Sequence, residues 1–226
     1  MKEQWCIAPK NQAEFVCRME DILEVYQRPR EAKRPLVCLD ETTKQLTRET
    51  RRPLPLRPGR ARRFDYEYER SGVATLFMLC APLEGWRHVG VGESKTRVDY
   101  AYYLRDLAEK HFPEAEKIIL VQDNLNTHDP ASLYHAFEPQ KARELIERFE
   151  FHYTPKHASW LNIAECELSA LSRQCLRQRI AERKELLSQV RAWQNRRNRA
   201  TVKVNWRFTT KDARIKLKKL YPSIQP

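Results

Sequence analysis

Glycine is scarce in this chain, with five in 226 residues, and none sits in a Gly-rich loop that could cradle a phosphate. That sets aside P-loop and dinucleotide-binding enzymes. Paired cysteines are missing too. The six cysteines stand at 6, 17, 38, 80, 166 and 175, with no CxxC pair and no Cys/His cluster at zinc spacing. They read as buried thiols of a reducing cytosol. No long hydrophobic run exists: the longest, Ala74 to Leu83, falls far short of the roughly 20 residues of a membrane helix. The opening MKEQWCIAPK has no signal-peptide core. What remains is 41% apolar and 10% aromatic, enough for a core. The length suggests one domain, or one domain with a small appendage.

Charge is what the chain has in excess. Lys and Arg number 42 against 30 Asp and Glu, a net charge of +12. Arg48 to Arg63 (RETRRPLPLRPGRARR) carries +6, and the stretch from Arg173 onward carries +13. The rest is therefore acidic, at −7. Two dense Arg-rich segments on an acidic body favour a polyanion, nucleic acid above all. The candidate contacts are Arg51, Arg52, Arg57, Arg60, Arg62 and Arg63 in the first segment. In the second, Arg196, Arg197 and Arg199 suit backbone contacts better than base reading.

Periodicity gives a coarse map. Phe15, Val16, Met19, Ile22, Leu23 and Tyr26 predict a helix over 12–28, stopped by Pro29. Leu36 to Leu39 reads as a buried strand ending at Asp40. Pro53, Pro55, Pro58 and Gly59 make the basic segment an extended arm or loop. Residues 73–81 and 86–91 flank a Pro-Leu-Glu-Gly turn and predict a hairpin. A helix over 99–112, a buried strand over 117–122, a helix over 131–149 with a break at Pro139, and an alternating strand at 149–153 follow. Helices over 161–177 and 182–199 and a last element at 210–221 complete the chain. The expected fold class is α/β, a mixed sheet flanked by helices, with a helical C-terminal tail. The expected divisions are a linker helix at 1–35, a main domain at 36–180 with the basic loop 48–68 inserted, and a basic tail at 181–226.

Three acids stand out. Asp40 and Asp123 each follow an apolar strand, the end of an α/β sheet where ligands collect. In the helix after TPKHASWLN, Asn162, Glu165, Ser169 and Ser172 share one stripe, so Glu165 is the only acid among short polar neighbours. Glu167 lies on another flank, facing solvent or a salt bridge. Each acid alone also fits an ordinary cap or helix-start role. Together they suit a pair of Mg²⁺ or Mn²⁺ ions, hard cations that take oxygen ligands. Two such ions about 4 Å apart activate a nucleophile and stabilise the leaving oxygen of a phosphodiester. Lys156 and His157, just before the Glu165 helix, are candidates for a phosphate. His152 reads as a surface or satisfied histidine, and Trp160, Trp193 and Trp206 as packing aromatics.

LVCLDETTKQL, LVQDNLNTH and FHYTPKHASWLNIAECELSAL together resemble the catalytic domain of DDE transposases, most of all the mariner-like superfamily in its bacterial insertion-sequence branch. The similarity runs from about residue 36 to 180. It implies that Asp40, Asp123 and Glu165 are the metal-binding triad. Asn124, His128 and Asn162 then match its supporting polar positions. It implies an RNase H-like five-stranded mixed sheet, metal-dependent DNA cleavage and strand transfer, and a homodimer on DNA. The setting would be the nucleoid of a bacterial cytoplasm, with no membrane. In such enzymes a loop at the place of the Pro/Arg segment reaches a partner subunit or DNA. Two features depart from the pattern. Asp123 and Glu165 are separated by 41 residues, more than is commonest, and only one helix precedes the first strand where the family has helix-turn-helix domains. The chain thus reads as a catalytic half, a truncated copy or the second frame of a split element. The competing readings are another RNase H-like nuclease and a non-catalytic DNA-binding remnant.

Overall fold

The computed structural model describes residues 12–222 except Arg62, so the reading of Arg62 lies outside the described residues. Five strands form one sheet in the order β3-β2-β1-β4-β5. They are β1 (Leu36–Glu49), β2 (Tyr68–Ala81), β3 (Trp86–Gly92), β4 (Ile118–Gln122) and β5 (Phe149–Tyr153). The first three pair antiparallel, while β4 pairs parallel with both β1 and β5. The sheet is mixed, as expected.

Alternation along β1 divides the core between two faces. Leu36 and Cys38 join one apolar cluster with α1 (Gln12–Gln27), α4 (Ile163–Gln174), α5 (Arg183–Arg199) and α6 (Thr210–Lys216). Val37 and Leu39 join the other with α2 (Arg97–Asp106) and α3 (Pro139–Glu147). Phe15, Met19, Ile22 and Leu23 of α1 are all buried in the first cluster. Gly90 of β3 is a required glycine, because a Cβ there would sit 2.0 Å from the Tyr103 hydroxyl.

Several boundaries differ from the sequence expectation. β1 does not stop at Asp40 but runs on to Glu49, paired with β2 as far as Tyr68 and interrupted by a register shift between Gln45 and Thr47. Thr42, Thr43 and Thr47 suit a half-covered strand, and the hairpin partner fixes both lengths. The expected helix over 131–149 is two pieces, a 3₁₀ turn at Pro130–His135 and α3, because Pro139 starts the second. The helix expected at 99–112 begins earlier, at a Thr96–Asp99 capping box, and ends in a π turn at Leu107–His111. Trp193 is buried and Trp206 lies against Tyr26, ring centroids 5.1 Å apart. Trp160 departs from the packing role: it is 43% exposed on the 3₁₀ turn before α4, edge-on to Phe208. His152 is satisfied, with Nδ1 2.7 Å from Asp21 and Nε2 2.9 Å from Glu150. No described helix is long and apolar enough to cross a membrane.

Candidate active site

Asp40 sits in the fifth position of β1 and shares a face with Cys38, the face that α4 covers. Asp123 follows the last residue of β4, one strand over. Glu165 stands in the first turn of α4. Asn162 joins these parts. Its side-chain oxygen caps α4 by accepting from the Ala164 amide at 3.0 Å, and its amide donates to the Leu39 carbonyl at 2.8 Å. One buried side chain thus ties the start of the Glu165 helix to the residue before Asp40. Tyr26 of α1 supports the same helix start, donating to the Leu161 carbonyl at 2.7 Å and accepting from the Ile163 amide.

The loop after β4 is equally fixed. Gln122 is buried, accepts from the Tyr100 hydroxyl at 2.8 Å and donates to the His128 carbonyl at 3.0 Å. That places His128 between two carboxylates. Its Nδ1 lies 2.5 Å from Asp123 Oδ1, and its Nε2 makes an ion-pair contact of 3.0 Å with Glu41 Oε2. Burial opposes a charge on this imidazole, but hydrogen bonds and attraction from Asp123 and Glu41 outweigh it and hold its pKa at about 9. Burial likewise works against the Asp123 carboxylate, yet His128 brings its pKa below the ordinary value. Lys95 adds a second cation, 3.5 Å from Glu41.

Asp40 shows the opposite balance. Desolvation, together with repulsion from Asp123, Glu41 and Glu165, pushes its pKa up to about 7, against one hydrogen bond from the Glu41 amide. The three predicted acids therefore lie in one field. Glu165 Oε2 is buried without a hydrogen-bond partner, and Asp123 Oδ2 is not engaged by the contacts that hold Oδ1. An all-carboxylate donor set with an orphaned oxygen and uncompensated negative potential fits a hard divalent cation. As they stand, no three donors among the described residues converge tightly enough to hold an ion. Ligation requires side-chain rotation.

Glu41 and Lys95 carry no sequence signal beyond their charge. Glu41 is one residue from Asp40, but its pleat puts it on the α2 side of the sheet. Asn124 is exposed beside Asp123. Lys156 and His157 are exposed in the turn between β5 and α4, where His157 has a φ of 63°. The basic arm leaves the β1–β2 hairpin as an irregular ribbon, bridged at Leu54–Arg63 and Arg57–Arg60. Arg51, Arg52, Arg57, Arg60 and Arg63 are all exposed, and so are Leu54, Leu56, Phe64 and Tyr66. Arg179 grips the arm's root through Glu49 and the Tyr66 and Glu67 carbonyls. Arg196 and Arg199 are exposed on α5, whereas Arg197 turns inward, 2.8 Å from Glu167 and against the Trp193 ring.

Solved structures share this fold. The Mos1 transposase paired-end complex with left transposon end aligns over 89% of this chain and 62% of its own, at 16% identity and a TM-score of 0.59. The Mos1 strand transfer complex aligns over 100% and 67%, at 13% identity and 0.60. The mariner Mos1 paired-end complex with Mg aligns over 99% and 68%, at 14% identity and 0.58. This chain thus spans under two thirds of the first of these, and the likeness is one of fold, the RNase H-like sheet. No functionally curated protein matches. The family model for DDE superfamily endonucleases matches residues 35–187, from the residue before β1 to the first turn of α5 and across all three acids. The chain belongs to the DDE superfamily of endonucleases.

Proposed function

We propose that this chain is the catalytic part of a mariner-like transposase of the bacterial insertion-sequence type, cutting DNA at element ends and joining them to target DNA. The observation that carries the reading is the meeting of Asp40, Asp123 and Glu165 in one field, with a buried Glu165 oxygen left unpartnered. Those three residues would hold two Mg²⁺ or Mn²⁺ ions. The ions would supply an activated water or 3′-hydroxyl and charge stabilisation at the leaving oxygen. Around them the chain's own residues have distinct tasks. His128, itself paired with Glu41, and the Leu125 amide hold Asp123 by one oxygen. Asn162 keeps the Glu165 helix against β1. Lys156 and His157 stand where the phosphate backbone would pass, and Arg196 and Arg199 extend the basic surface. The arm's mix of arginines and exposed aromatics suits a partner subunit as well as DNA, so the assembly is a homodimer on DNA in the bacterial nucleoid.

The test uses the purified full chain with supercoiled DNA and Mg²⁺ or Mn²⁺. Wild type is expected to nick it, and Asp123→Ala to lose nicking while keeping DNA affinity within about twofold, since it removes no phosphate contact. Undiminished nicking by the variant sinks the triad. DNA binding without any nicking supports the binding remnant instead, and preferential cutting of the RNA strand of a hybrid supports the other nuclease.

The arm gives a separate expectation. Replacing residues 52–63 with a short turn removes, from the described part of the ribbon, side chains that are exposed except for the half-buried Pro53, so thermal stability changes little. DNA affinity falls by roughly tenfold or more, with a shallower salt dependence, as phosphate contacts are lost. Binding isotherms at several salt concentrations check this. Loss of cooperative melting would show that the arm buttresses the sheet instead.

A further inference from the structure

The Glu165 carboxylate makes no hydrogen bond among the described residues, and its Oε2 is buried without a partner. Its place must therefore come from the backbone that carries it. The first turn of α4 is fixed from two sides. From β1, the Leu39 carbonyl accepts from the Asn162 amide. From α1 comes the Tyr26 phenol, which straddles that same cap residue. Its hydroxyl donates to the Leu161 carbonyl at 2.7 Å and accepts from the Ile163 amide at 3.3 Å. One oxygen thus satisfies a carbonyl of the 3₁₀ turn at Ser159–Leu161 and one of the amides that a helix start leaves open. A single anchor at Asn162 would leave a pivot; the second stops rotation about it. The Tyr26 side chain is buried, and burial with the neighbouring Cys38 thiol pushes its pKa well up, so the hydroxyl keeps its proton and stays a donor. Buried tyrosines generally find a partner for the hydroxyl. What sets this one apart is that its partners flank the cap of the helix that carries Glu165.

Tyr26 is itself held from far along the chain. The Trp206 ring lies 5.1 Å from it at an angle of 50°, and the indole is fixed by its own donation to the Phe208 carbonyl at 2.8 Å. Further on, Arg214 clasps Glu20 of the same helix at 2.8 and 2.9 Å, and the Tyr221 hydroxyl adds a bond of 2.8 Å. The C-terminal tail therefore lies along α1 and seats the phenol.

We infer that Tyr26 is a positioning residue for Glu165: its hydroxyl sets the start of α4, and the C-terminal tail sets Tyr26 through Trp206. The inference rests on the reading of Glu165 as a metal ligand. It goes beyond that reading, because it makes the basic tail part of the frame of the site as well as a grip for DNA.

Tyr26→Phe tests it, since it keeps the ring and deletes only the hydroxyl. Three measurements on the full chain separate position from packing. In EDTA, amide hydrogen exchange over residues 161–166 should speed by about tenfold while the last turns of α4 keep wild-type rates. Mn²⁺ alone, titrated by its paramagnetic resonance signal, should bind roughly tenfold or more weakly, as loss of a group that orients a ligand costs about 10–100-fold. In nicking assays kcat should fall by a similar factor, with KM for DNA within about twofold, because the buried phenol touches no DNA. Trp206→Leu leaves the hydroxyl but loosens its seat, and should weaken Mn²⁺ by about threefold; combined with Tyr26→Phe it should add nothing, since both act through one oxygen. Ile22→Val, a change in the same apolar cluster on α1, is the folding control: it should lower the melting temperature without moving Mn²⁺ affinity or kcat. Wild-type Mn²⁺ affinity in Tyr26→Phe, or an equal loss in Ile22→Val, overturns the inference and leaves the triad standing. Additive losses in the double variant overturn the link through Trp206. A wild type that neither binds Mn²⁺ nor nicks DNA overturns the triad and the inference together.

Discussion

Asp40→Asn is expected to melt higher than wild type in EDTA at pH 8 and, in Mg²⁺, to cleave nothing measurable. The reason is the crowding around Asp40. Its folded pKa of about 7 lies above the ordinary value of 3.8, with burial as the largest cause and three neighbouring carboxylates adding to it. A group whose pKa is raised on folding contributes stability that is fully present below its unfolded value and lost as pH rises through the folded one. The metal-free protein should therefore weaken between about pH 4 and pH 7–8, and Asn, which does not titrate, should remove that part of the slope. The shift sets a ceiling near 4 kcal/mol. Partial solvation of the side chain brings the expected gain to about 1–3 kcal/mol, or roughly 3–8 °C for a chain of this size. The same substitution deletes an anionic oxygen from the proposed ion site. Losing several kcal/mol of charge stabilisation lowers cleavage on the order of 10³-fold or more. Saturating Mg²⁺ should raise the melting temperature of wild type and leave the variant nearly unmoved. Melting curves from pH 4 to 8, with and without Mg²⁺, check both halves. A variant that melts lower at pH 8, or that Mg²⁺ stabilises as well as wild type, would show that Asp40 is not in a repulsive cluster awaiting a cation.

That contrast explains which parts of the site the sequence makes visible. Asp40, Asp123 and Glu165 each follow a local signal: an acid after an apolar run, or the lone acid on a stripe of small polar residues. The five strands were legible for the same reason, since alternation and apolar runs are local. The length of β1 was not, because Thr42 to Glu49 are polar and remain a strand only through pairing with β2. Glu41 and Lys95 were hidden by distance along the chain. Nothing in DET or ESKT shows that His128, some 87 residues after Glu41, will lie 3.0 Å from that carboxylate. Arg87 was hidden more deeply. In Trp86–Arg87–His88 it looks like the outward residue of an alternating strand, but α5 covers that face and leaves Arg87 with no exposed surface.

Glu167→Ala is expected to destabilise the chain by about 3–5 kcal/mol, the usual penalty for stranding one member of a buried ion pair. Glu167 is 3% exposed, with its two oxygens on Arg87 at 3.1 Å and Arg197 at 2.8 Å. Arg87 in turn donates to the Val202 carbonyl at 2.7 Å and the Gly85 carbonyl at 3.1 Å, while its backbone exchanges two hydrogen bonds with the Asn198 side chain. Burial disfavours the guanidinium charge, and Glu167 offsets that. This network fastens β3, α4 and α5 to one another. Removing the carboxylate leaves Arg87 charged and dry, and the melting temperature should fall by about 6–15 °C. Arg87→Met should cost a similar amount, for it leaves the buried Glu167 with Arg197 alone and takes the donor from two carbonyls. The double variant Arg87→Met with Glu167→Leu should lose about 2 kcal/mol less than the sum of the singles, because the fully buried charge at Arg87 goes together with its partner and only the partly exposed Arg197 is left without the carboxylate. Glu165 lies two residues before Glu167 on α4, so the singles should also lower cleavage at temperatures well under their melting points, and the double should recover part of it. Denaturant titrations of the four proteins measure the coupling. Strict additivity would mean that Arg197 alone satisfies Glu167, and that α4 is held against the sheet by its apolar stripe and Asn162 rather than by charge.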